Sequence, residues 1–531
     1  MPALQGLFAG ARFFGALPGH LRRRVTLEEA RARLAVRLSQ REELLLDRIR
    51  NDVFSQPGSV YHRLFRYAGC ELGDLERSIR KDGVDAALEQ LLRAGVYLTV
   101  DEFKGRKAVA RGSLQLKVKP EDFRSPRAAY HLPASSGGSR SAGTRVLIDL
   151  RFVRDCAANC LLCLDAWGGR DWIKADWETL GAGARFRLIK FAMFGRPPQA
   201  WFTQIHPDDP SLPGIFRWNT RALRWSSALS GRPIPPPVPA TLNDPTPVAE
   251  WLVKVLKTGA TPLVQTFPGS ALRLCLGAAQ QQMDLSGTRF LLGGEPITAA
   301  RVATIRNHGC VPIPRYGSIE CGAIGYGCPH GAHPDEVHLL RHMHALITAK
   351  SQGETLGLPP EALFVTALHK CSPFLMLNLS MGDQAEVQQR ECGCTWHELG
   401  LTTTLHNIRS FEKLTGGGVT FLGTEVIQIL EQVLPGEFGG SPTDYQLVEE
   451  ESALGEPALV LGIHPSVGPV DEQRVAEVFL GRLSTSSAAA RVMVQMWRDS
   501  GTLKVRRRPP IISRAGKILH LHVNRPSSGR Q

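Results

Sequence analysis

From residue 244 onward, apolar strands alternate with amphipathic helices, and this alternation limits the possible folds more than any other feature. The predicted elements are a helix over 247–257, a strand over 262–267, a helix over 271–282, a strand over 288–292, a helix over 298–308 and a strand from 311. Repeated strand–helix units of this length form a largely parallel sheet covered by helices. Ligands bind such sheets at the carboxyl ends of the strands. The loops that follow these strands are therefore the first candidates for a functional site.

Composition narrows the class of protein and of partner. The chain has 531 residues, 43% of them hydrophobic and 21% charged, which predicts a soluble globular protein of two to four domains. The formal net charge is +13, but basic residues cluster only at 21–24 and 504–508 and are not interleaved with aromatic residues. We therefore expect small anionic substrates rather than nucleic acid.

Cysteine usage and apolar runs bear on location. Eleven cysteines, an odd number with two close-set clusters, favour a reducing compartment over a disulfide framework. No apolar run reaches the length of a membrane span. Residues 1–17 are apolar and the arginine cluster follows them, which is the reverse of the order in a secretory signal. These features predict a cytoplasmic protein with no membrane span.

The strand from 311 ends in a loop, Arg315-Tyr-Gly-Ser-Ile-Glu320, that presents Tyr316, Ser318 and Glu320. An aromatic face can stack on a purine, and a carboxylate can hold Mg²⁺ beside phosphate oxygens. The alternative interpretation is an ordinary turn at a strand end.

A second loop is rich in Ser, Gly and Thr. The segment Pro133-Ala-Ser-Ser-Gly-Gly-Ser-Arg-Ser-Ala-Gly-Thr144 precedes the apolar strand that begins at Val146. Its backbone N–H groups and hydroxyls can surround phosphate groups as a nest of donors. A flexible linker is the alternative.

Four motifs together resemble those of adenylate-forming enzymes, which make acyl-AMP from a carboxylic acid and ATP. The segment Tyr316–Glu320 is similar to their Tyr-Gly-x-Thr-Glu motif, although Ile319 stands at the threonine position. Gly293-Gly-Glu-Pro-Ile resembles their Gly-Gly-Glu-Pro segment, and Met381-Gly-Asp383 resembles their Thr-Gly-Asp motif. Ser513-Arg-Ala-Gly-Lys517 resembles their closing Gly-Lys motif. The order and spacing of the motifs make the resemblance more specific than any one of them.

The resemblance implies roles for individual residues. The Ser/Gly loop is expected to bind the phosphates through Ser135, Ser136, Gly137, Ser139 and Thr144. The border of the adenine and acyl pockets falls to Gly294, Glu295, Pro296, Tyr316, Gly317 and Ser318, with Tyr316 on the adenine. Glu320 is expected on Mg²⁺, Asp383 and Arg409 on the ribose, and Lys517 on the acyl phosphate in the first half-reaction. The acidic pair that usually follows the arginine is absent after Arg409.

The same resemblance implies an α/β fold. It consists of a large N-terminal adenylate-forming part with parallel-rich sheets flanked by helices, and a small mobile α+β lid. We expect a helical region over 1–125, the core over 126–408 and the lid over 409–531. The implied activity is that of a phenylacetate–CoA ligase-like or acyl-protein-synthetase-like ligase, which uses ATP, Mg²⁺ and a carboxylic acid. CoA is the first expected acceptor and a carrier-protein thiol the second, and homodimer formation is left open.

Cysteines and histidines at 328–333 and 392–394 predict a zinc site. Thiolate and imidazole ligands with a tight Cys-x-Cys suit tetrahedral Zn²⁺. The resemblance to zinc-containing relatives selects Cys328, His333, Cys392 and Cys394, with His330 as the alternate. The expected role is structural, and buried free thiols are the alternative.

A third cysteine group, Cys156, Cys160 and Cys163, has the spacing of an iron–sulfur cluster in radical SAM enzymes. The same spacing places the three thiols on one buried face of a helix. A radical SAM enzyme is therefore one alternative function. A non-catalytic protein that retains the adenylate-forming fold is another, because the phosphate loop and the segment after Arg409 depart from the motifs.

Overall fold

The computed structural model describes most of the chain. The described residues are 2–129, 132–135, 145–178, 182–204, 206, 214–242, 244–410, 415–416, 419–420, 423–451, 457–485, 494, 497–498, 503–512 and 518–524.

Helices precede the main sheet and then alternate with its strands. The α-helices are α1 (Pro2–Arg22), α2 (Leu27–Ser39), α3 (Arg41–Arg48), α4 (Val60–Tyr67), α5 (Leu72–Arg93), α6 (Val100–Phe103), α7 (Leu150–Ala166), α8 (Ala182–Ala192), α9 (Gly214–Ala228), α10 (Thr246–Leu256), α11 (Pro268–Gln280), α12 (Ala299–Asn307), α13 (Gly353–Leu356), α14 (Thr395–Glu398), α15 (Gly423–Gln428), α16 (Leu434–Phe438) and α17 (Glu472–Ser484).

The strands form one large sheet and several small ones. They are β1 (Val109–Arg111), β2 (Leu114–Leu116), β3 (Leu132–Ser135), β4 (Arg145–Ile148), β5 (Ile173–Glu178), β6 (Ala200–Thr203), β7 (Pro237–Pro239), β8 (Pro262–Thr266), β9 (Arg289–Leu292), β10 (Val311–Ser318), β11 (Gly322–Gly327), β12 (Val337–Leu339), β13 (His344–Thr348), β14 (Ala362–Ala367), β15 (Leu379–Gln389), β16 (Thr403–Ser410), β17 (Thr415–Gly416), β18 (Val419–Thr420), β19 (Tyr445–Glu451), β20 (Pro457–Ile463), β21 (Leu503–Arg507) and β22 (Leu521–Asn524).

The large sheet has twelve strands in the order β13-β14-β15-β16-β12-β11-β10-β9-β8-β5-β6-β7. Its second half, from β10 to β7, is parallel throughout. The predicted strand–helix alternation after residue 244 is confirmed, because α10, β8, α11, β9, α12 and β10 follow one another in that order. Every residue of β5 and β8 is buried, as expected for strands covered by helices on both faces. The prediction of an α/β fold is confirmed.

Buried charge joins the N-terminal helices to α7. Arg33 and Arg37 of α2 donate hydrogen bonds of 2.6 and 2.7 Å to the two carboxylate oxygens of Asp155, which lies on α7. The Nε2 atom of His369 lies 2.6 Å from the same carboxylate. Burial alone would raise the pKa of Asp155, but the bond to His369 and the two arginines hold it well below its usual range. The N-terminal helices are therefore part of the same core as α7.

The chain forms two compact units, and the main division falls between Ile408 and Arg409. The later unit contains a four-stranded mixed sheet in the order β21-β20-β19-β22. Its core packs sheet residues such as Leu447 and Leu461 against Val475 and Phe479 of α17. This small unit is of the α+β type.

Candidate nucleotide site and metal centre

Two of the predicted nucleotide motifs meet in the large sheet. Tyr316 lies near the end of β10 and Asp383 lies in β15, 67 residues later in the chain. The Tyr316 hydroxyl donates a hydrogen bond of 3.1 Å to the Asp383 carboxylate. Burial, with the nearby charge of Asp383, raises the pKa of Tyr316 and keeps the phenol protonated as a donor. The bond fixes the position of a carboxylate beside an aromatic ring.

The Gly293–Pro296 loop follows β9 and lies beside β10. A Cβ atom at Gly293 would lie 2.8 Å from the Arg315 carbonyl oxygen, so the close approach of the two strands requires glycine. Gly294 has a φ of +83°, which also favours glycine. The Glu295 carboxylate accepts a hydrogen bond of 2.9 Å from the backbone N–H of Gly269 in the first turn of α11. An anionic side chain is favourable at this position because the helix N-terminus carries partial positive charge.

The segment after Tyr316 forms a tight hairpin. Strands β10 and β11 pair antiparallel, and their register shifts between Tyr316 and Gly317. Ser318 Oγ lies 3.3 Å from Cys321 Sγ, and Glu320 is buried in the turn with 3% of its surface exposed. Ser318 and Cys321 are thus in contact across the turn that contains Glu320.

Of the other residues predicted to contact phosphate or ribose, the structure describes Ser135 and Arg409. Ser135 is the last residue of β3, whose partner β4 pairs Arg145 with it. Arg409 is buried near the end of β16 and is grouped with the later unit. Ser136, Gly137, Ser139, Thr144 and Lys517 lie outside the described residues. Their predicted roles stay predictions.

Four side chains form a compact group of metal-ligand type. Cys328, His338, Cys392 and Cys394 each offer one ligand atom, and all four atoms lie within 4.8 Å of one another. The Sγ atoms of Cys328 and Cys394 are 3.8 Å apart, and those of Cys392 and Cys394 are 3.2 Å apart. His338 Nε2 lies 3.5 Å from Cys392 Sγ and 3.2 Å from Cys394 Sγ.

These separations suit one tetrahedral ion. Zinc bonds of ~2.3 Å to sulfur and ~2.0 Å to nitrogen give edges of about 3.8 Å between sulfurs and about 3.5 Å from sulfur to nitrogen. The Nδ1 atom of His338 lies 2.7 Å from the Leu401 carbonyl oxygen, which can accept a hydrogen bond from Nδ1–H and leave Nε2 as the ligand atom. A hydrogen bond from the Cys328 thiol lowers the pKa of Cys394, which favours the thiolate form that binds a metal ion. The donor set fits zinc.

The structure corrects the predicted histidine ligand. His333 lies outside the group, and its ring stacks on His406 with centroids 3.8 Å apart. The alternate, His330, places Nδ1 3.0 Å from the backbone oxygen of Cys392 rather than beside the thiols. His338 lies in β12, which pairs with β11 on one side and β16 on the other. Cys328 directly follows β11, and Cys392 and Cys394 lie in the segment between β15 and β16. This pairing therefore brings the His338 side chain to the cysteines.

Comparison with known proteins was informative only at the level of structure. No family model and no curated protein matches the sequence. Among solved structures, 2-hydroxyisobutyryl-CoA ligase in the postadenylation state, in complex with R3-HIB-AMP, aligns with a TM-score of 0.50 and 15% identity. The alignment covers 94% of this chain and 90% of that one. The same ligase in complex with 2-HIB-AMP gives 0.50 and 15% identity over 95% and 91%.

This chain has the fold of the adenylate-forming ligases. The alignment covers nearly all of both chains, so the adenylate-forming fold accounts for the later unit as well as the large sheet. None of the helices in the described part of the chain is both long and apolar enough to cross a bilayer.

The three cysteines with the spacing of an iron–sulfur motif are packed inside a helix. Cys156, Cys160 and Cys163 all lie in the continuous helix α7 and are buried. Burial raises the pKa of Cys156 to about 12 and raises that of Cys163 as well, so these groups are neutral thiols. A helix cannot wrap its cysteines around a cubane of iron, so the radical SAM alternative is not supported.

Proposed function

We propose that the protein is an ATP-dependent acid ligase. An oxygen of the substrate carboxylate attacks the α-phosphorus of ATP, the bond between the α- and β-phosphates breaks, and pyrophosphate leaves. The acyl-AMP formed then passes its acyl group to a thiol, and AMP leaves with the electron pair of the acyl–oxygen bond. CoA is the proposed thiol, and a carrier-protein thiol is the second candidate.

The observation that carries this proposal is the bond between Tyr316 and Asp383. The bond holds an aromatic ring next to a carboxylate, and Tyr316 lies near the carboxyl end of β10, the kind of position at which ligands bind parallel sheets. A ring can stack on adenine, and a carboxylate can accept hydrogen bonds from the two ribose hydroxyls. The similarity to a CoA ligase crystallised with R3-HIB-AMP supports the same interpretation.

The other residues take the roles that the resemblance to adenylate-forming enzymes implies. The Ser/Gly loop that includes Ser135 would bind the leaving phosphates, and Arg409 would add a contact to the ribose. The Glu320 carboxylate would hold Mg²⁺, which neutralises charge on the triphosphate when bound. Lys517 would stabilise the oxygens at the α-phosphorus as negative charge develops there. Residues 409–531 would form the lid that carries this lysine.

Exchange of labelled pyrophosphate into ATP, measured with a panel of aryl and fatty acids, tests the first half-reaction. We expect exchange that depends on one class of acid, and thioester formation when CoA is added. Exchange without thioester formation would keep the adenylation step and replace CoA with another acceptor. No exchange with any acid, together with unchanged ATP binding, would favour the non-catalytic alternative.

We also propose a structural zinc ion at Cys328, His338, Cys392 and Cys394, and a place for the protein near the phenylacetate–CoA ligase-like branch. Such an ion would join the end of β11 to β12 and to the segment before α14. The eleven cysteines are all free, which supports a cytoplasmic location.

A further inference from the structure

Helix α9 exposes large apolar side chains along one line. Trp218 is 66% exposed, Trp225 79% and Leu229, just beyond the end of the helix, 71%. At 100° per residue these positions lie within about 40° of one another around the helix axis. Large apolar side chains scattered singly on a surface are ordinary, but an aligned row of two tryptophans and a leucine is a contiguous patch.

A basic row runs beside the apolar one. Arg217 and Arg221 are exposed, and the helical repeat places them 60–100° to one side of Trp218. Arg22, Arg23 and Arg24 at the end of α1 are exposed as well. We use the term basic–aromatic face for Trp218, Trp225, Leu229, Arg217 and Arg221.

The opposite side of α9 is fixed to the body of the protein. Leu223 is fully buried, and Ser226 Oγ donates a hydrogen bond of 3.2 Å to the Phe14 carbonyl oxygen of α1. Arg22 Nη2 donates a bond of 3.0 Å to the Leu229 carbonyl oxygen, which places the α1 arginines beside the same end of α9. The basic–aromatic face is therefore on the side of α9 that does not pack on α1.

Two segments near this face have charge of one sign. Residues 2–27 and residues 211–243 contain no aspartate or glutamate, although acidic residues border both segments. Each segment therefore has a net positive charge that favours an anionic surface.

We propose that the basic–aromatic face of α9 binds the surface of a bilayer that contains anionic phospholipid. Tryptophan favours the interfacial region of a bilayer, since its ring is apolar and its N–H can remain hydrated. Arginines beside the apolar row would contact lipid phosphates, which is the arrangement of helices that lie in the plane of the interface. An acidic protein partner is the alternative occupant, and it predicts no binding to vesicles. The bound protein would lie on the membrane without crossing it.

Co-sedimentation of the full chain with vesicles tests the proposal. We expect binding to vesicles of phosphatidylcholine with phosphatidylglycerol, weaker binding to phosphatidylcholine alone, and loss of binding at high salt. Trp218→Ser combined with Trp225→Ser should reduce the partition coefficient at least about tenfold, because each indole contributes apolar area to the interface. Arg217→Gln with Arg221→Gln should reduce it several-fold on anionic vesicles only.

Matched controls use exposed residues on other helices. Val36→Ser with Tyr67→Ser removes two exposed apolar side chains of α2 and α4, and Arg63→Gln with Arg66→Gln removes two exposed charges of α4. These variants should bind vesicles like the wild type, and thermal unfolding should be unchanged in every variant because the altered side chains are exposed.

Two results would overturn the proposal. The first is equal binding to vesicles by the wild type and the double tryptophan variant. The second is no vesicle binding together with a dimer, seen by light scattering, that the tryptophan variant loses. That result would assign the face to a second copy of the chain.

Discussion

At the scale of single residues, the metal centre depends on which of two histidines lies beside the cysteines. His338 lies 3.2 Å from Cys394 Sγ, whereas His333 stacks on His406. We expect about one zinc per chain in the wild type and in His333→Ala, measured by mass spectrometry of the purified protein. His338→Ala should lose most of the metal because it removes a ligand and leaves three donors.

The paired variants also separate a bound ion from a thiol cluster. Loss of zinc should lower the midpoint of thermal unfolding in His338→Ala more than in His333→Ala, and a chelator should reproduce that loss in the wild type only. Equal metal content in the two variants, or no metal in the wild type, would contradict the assignment.

Tyr316 offers a second residue-scale prediction, since its ring and its hydroxyl can be removed separately. Tyr316→Ala should raise the KM for ATP by about tenfold or more, because base stacking contributes ~1–3 kcal/mol. Tyr316→Phe keeps the ring and loses only the bond to Asp383, so the change should be a few-fold. Pyrophosphate exchange at varied ATP measures both. Equal effects of the two substitutions would show that the ring does not stack on the base.

Sequence reasoning selected the three cysteines of the compact group but not its histidine. The tight spacing of Cys392 and Cys394 is a local signal that can be read from the chain. His338 sits in a short apolar stretch, Val337-His-Leu339, that resembles an ordinary buried strand. What brings it to the thiols is the pairing of β12 with β11 and β16, and long-range strand pairing leaves no mark in the local sequence. A histidine in the middle of an apolar strand near two cysteine groups was the available clue.

At the scale of elements, the β10–β11 hairpin depends on one glycine. A Cβ atom at Gly317 would clash with the carbonyl oxygen of Gly322 and lie 2.8 Å from Ala323 Cα, both of them backbone atoms. Gly317→Ala should therefore shift the turn that holds Glu320 and destabilise the protein by about 1–3 kcal/mol. We expect pyrophosphate exchange to fall by more than the loss of folded protein explains.

Gly58→Ala is the matched control for that variant. A Cβ atom at Gly58 would have no neighbour within 4 Å, so its unfolding midpoint and activity should remain those of the wild type. An active, equally stable Gly317→Ala protein would show that the hairpin can relax without moving the site.

The alternating elements after residue 244 were predictable because their signals are local. Each of them has its own apolar period, and Pro268 begins α11 at a position where its missing N–H costs nothing. The extent of the sheet was not predictable. Strands β11 to β16 pair with neighbours through hairpins and longer connections, and these add six strands on the side opposite the parallel half.

At the scale of the whole molecule, buried histidines predict a stability that declines in acid. Burial lowers the pKa of His342 to about 3 and that of His344 to about 4, and it also lowers the pKa of His369. The folded state therefore holds these imidazoles neutral, whereas an unfolded chain binds protons below about pH 6.5. Above that pH the histidines do not reduce the free energy of unfolding. As the pH drops towards 4, the free energy of unfolding falls by up to about 1.4 kcal/mol per pH unit for each histidine.

Urea unfolding followed by tryptophan fluorescence measures this decline between pH 7 and pH 5. The charges that act on His342 include Arg37 and Asp155, and the bond to His369 holds the pKa of Asp155 well below that range. His342→Gln keeps a donor for Asn159 and cannot be protonated, so its midpoint should fall less steeply with acid. A wild-type urea midpoint that is unchanged at pH 5 would contradict the predicted loss of stability in acid.

Lys517 provides a test of the lid that residues 409–531 are proposed to form. If this lysine acts only in adenylation, Lys517→Ala should abolish pyrophosphate exchange and still bind ATP. The variant should also convert chemically synthesised acyl-AMP and CoA into thioester. Normal exchange by the variant would remove the lysine from the mechanism.

The carboxylate of Asp155 has a practical consequence for anyone who trims the gene. Its two arginine partners come from the segment that precedes the Ser/Gly loop by about a hundred positions, so a fragment that starts near residue 126 would lose both of them and would expose the face of α7 that α2 covers. Such fragments should be recovered as aggregates because buried apolar side chains of α7 would then face water. We therefore expect the unit that contains the large sheet to need the helices at the beginning of this polypeptide in order to fold.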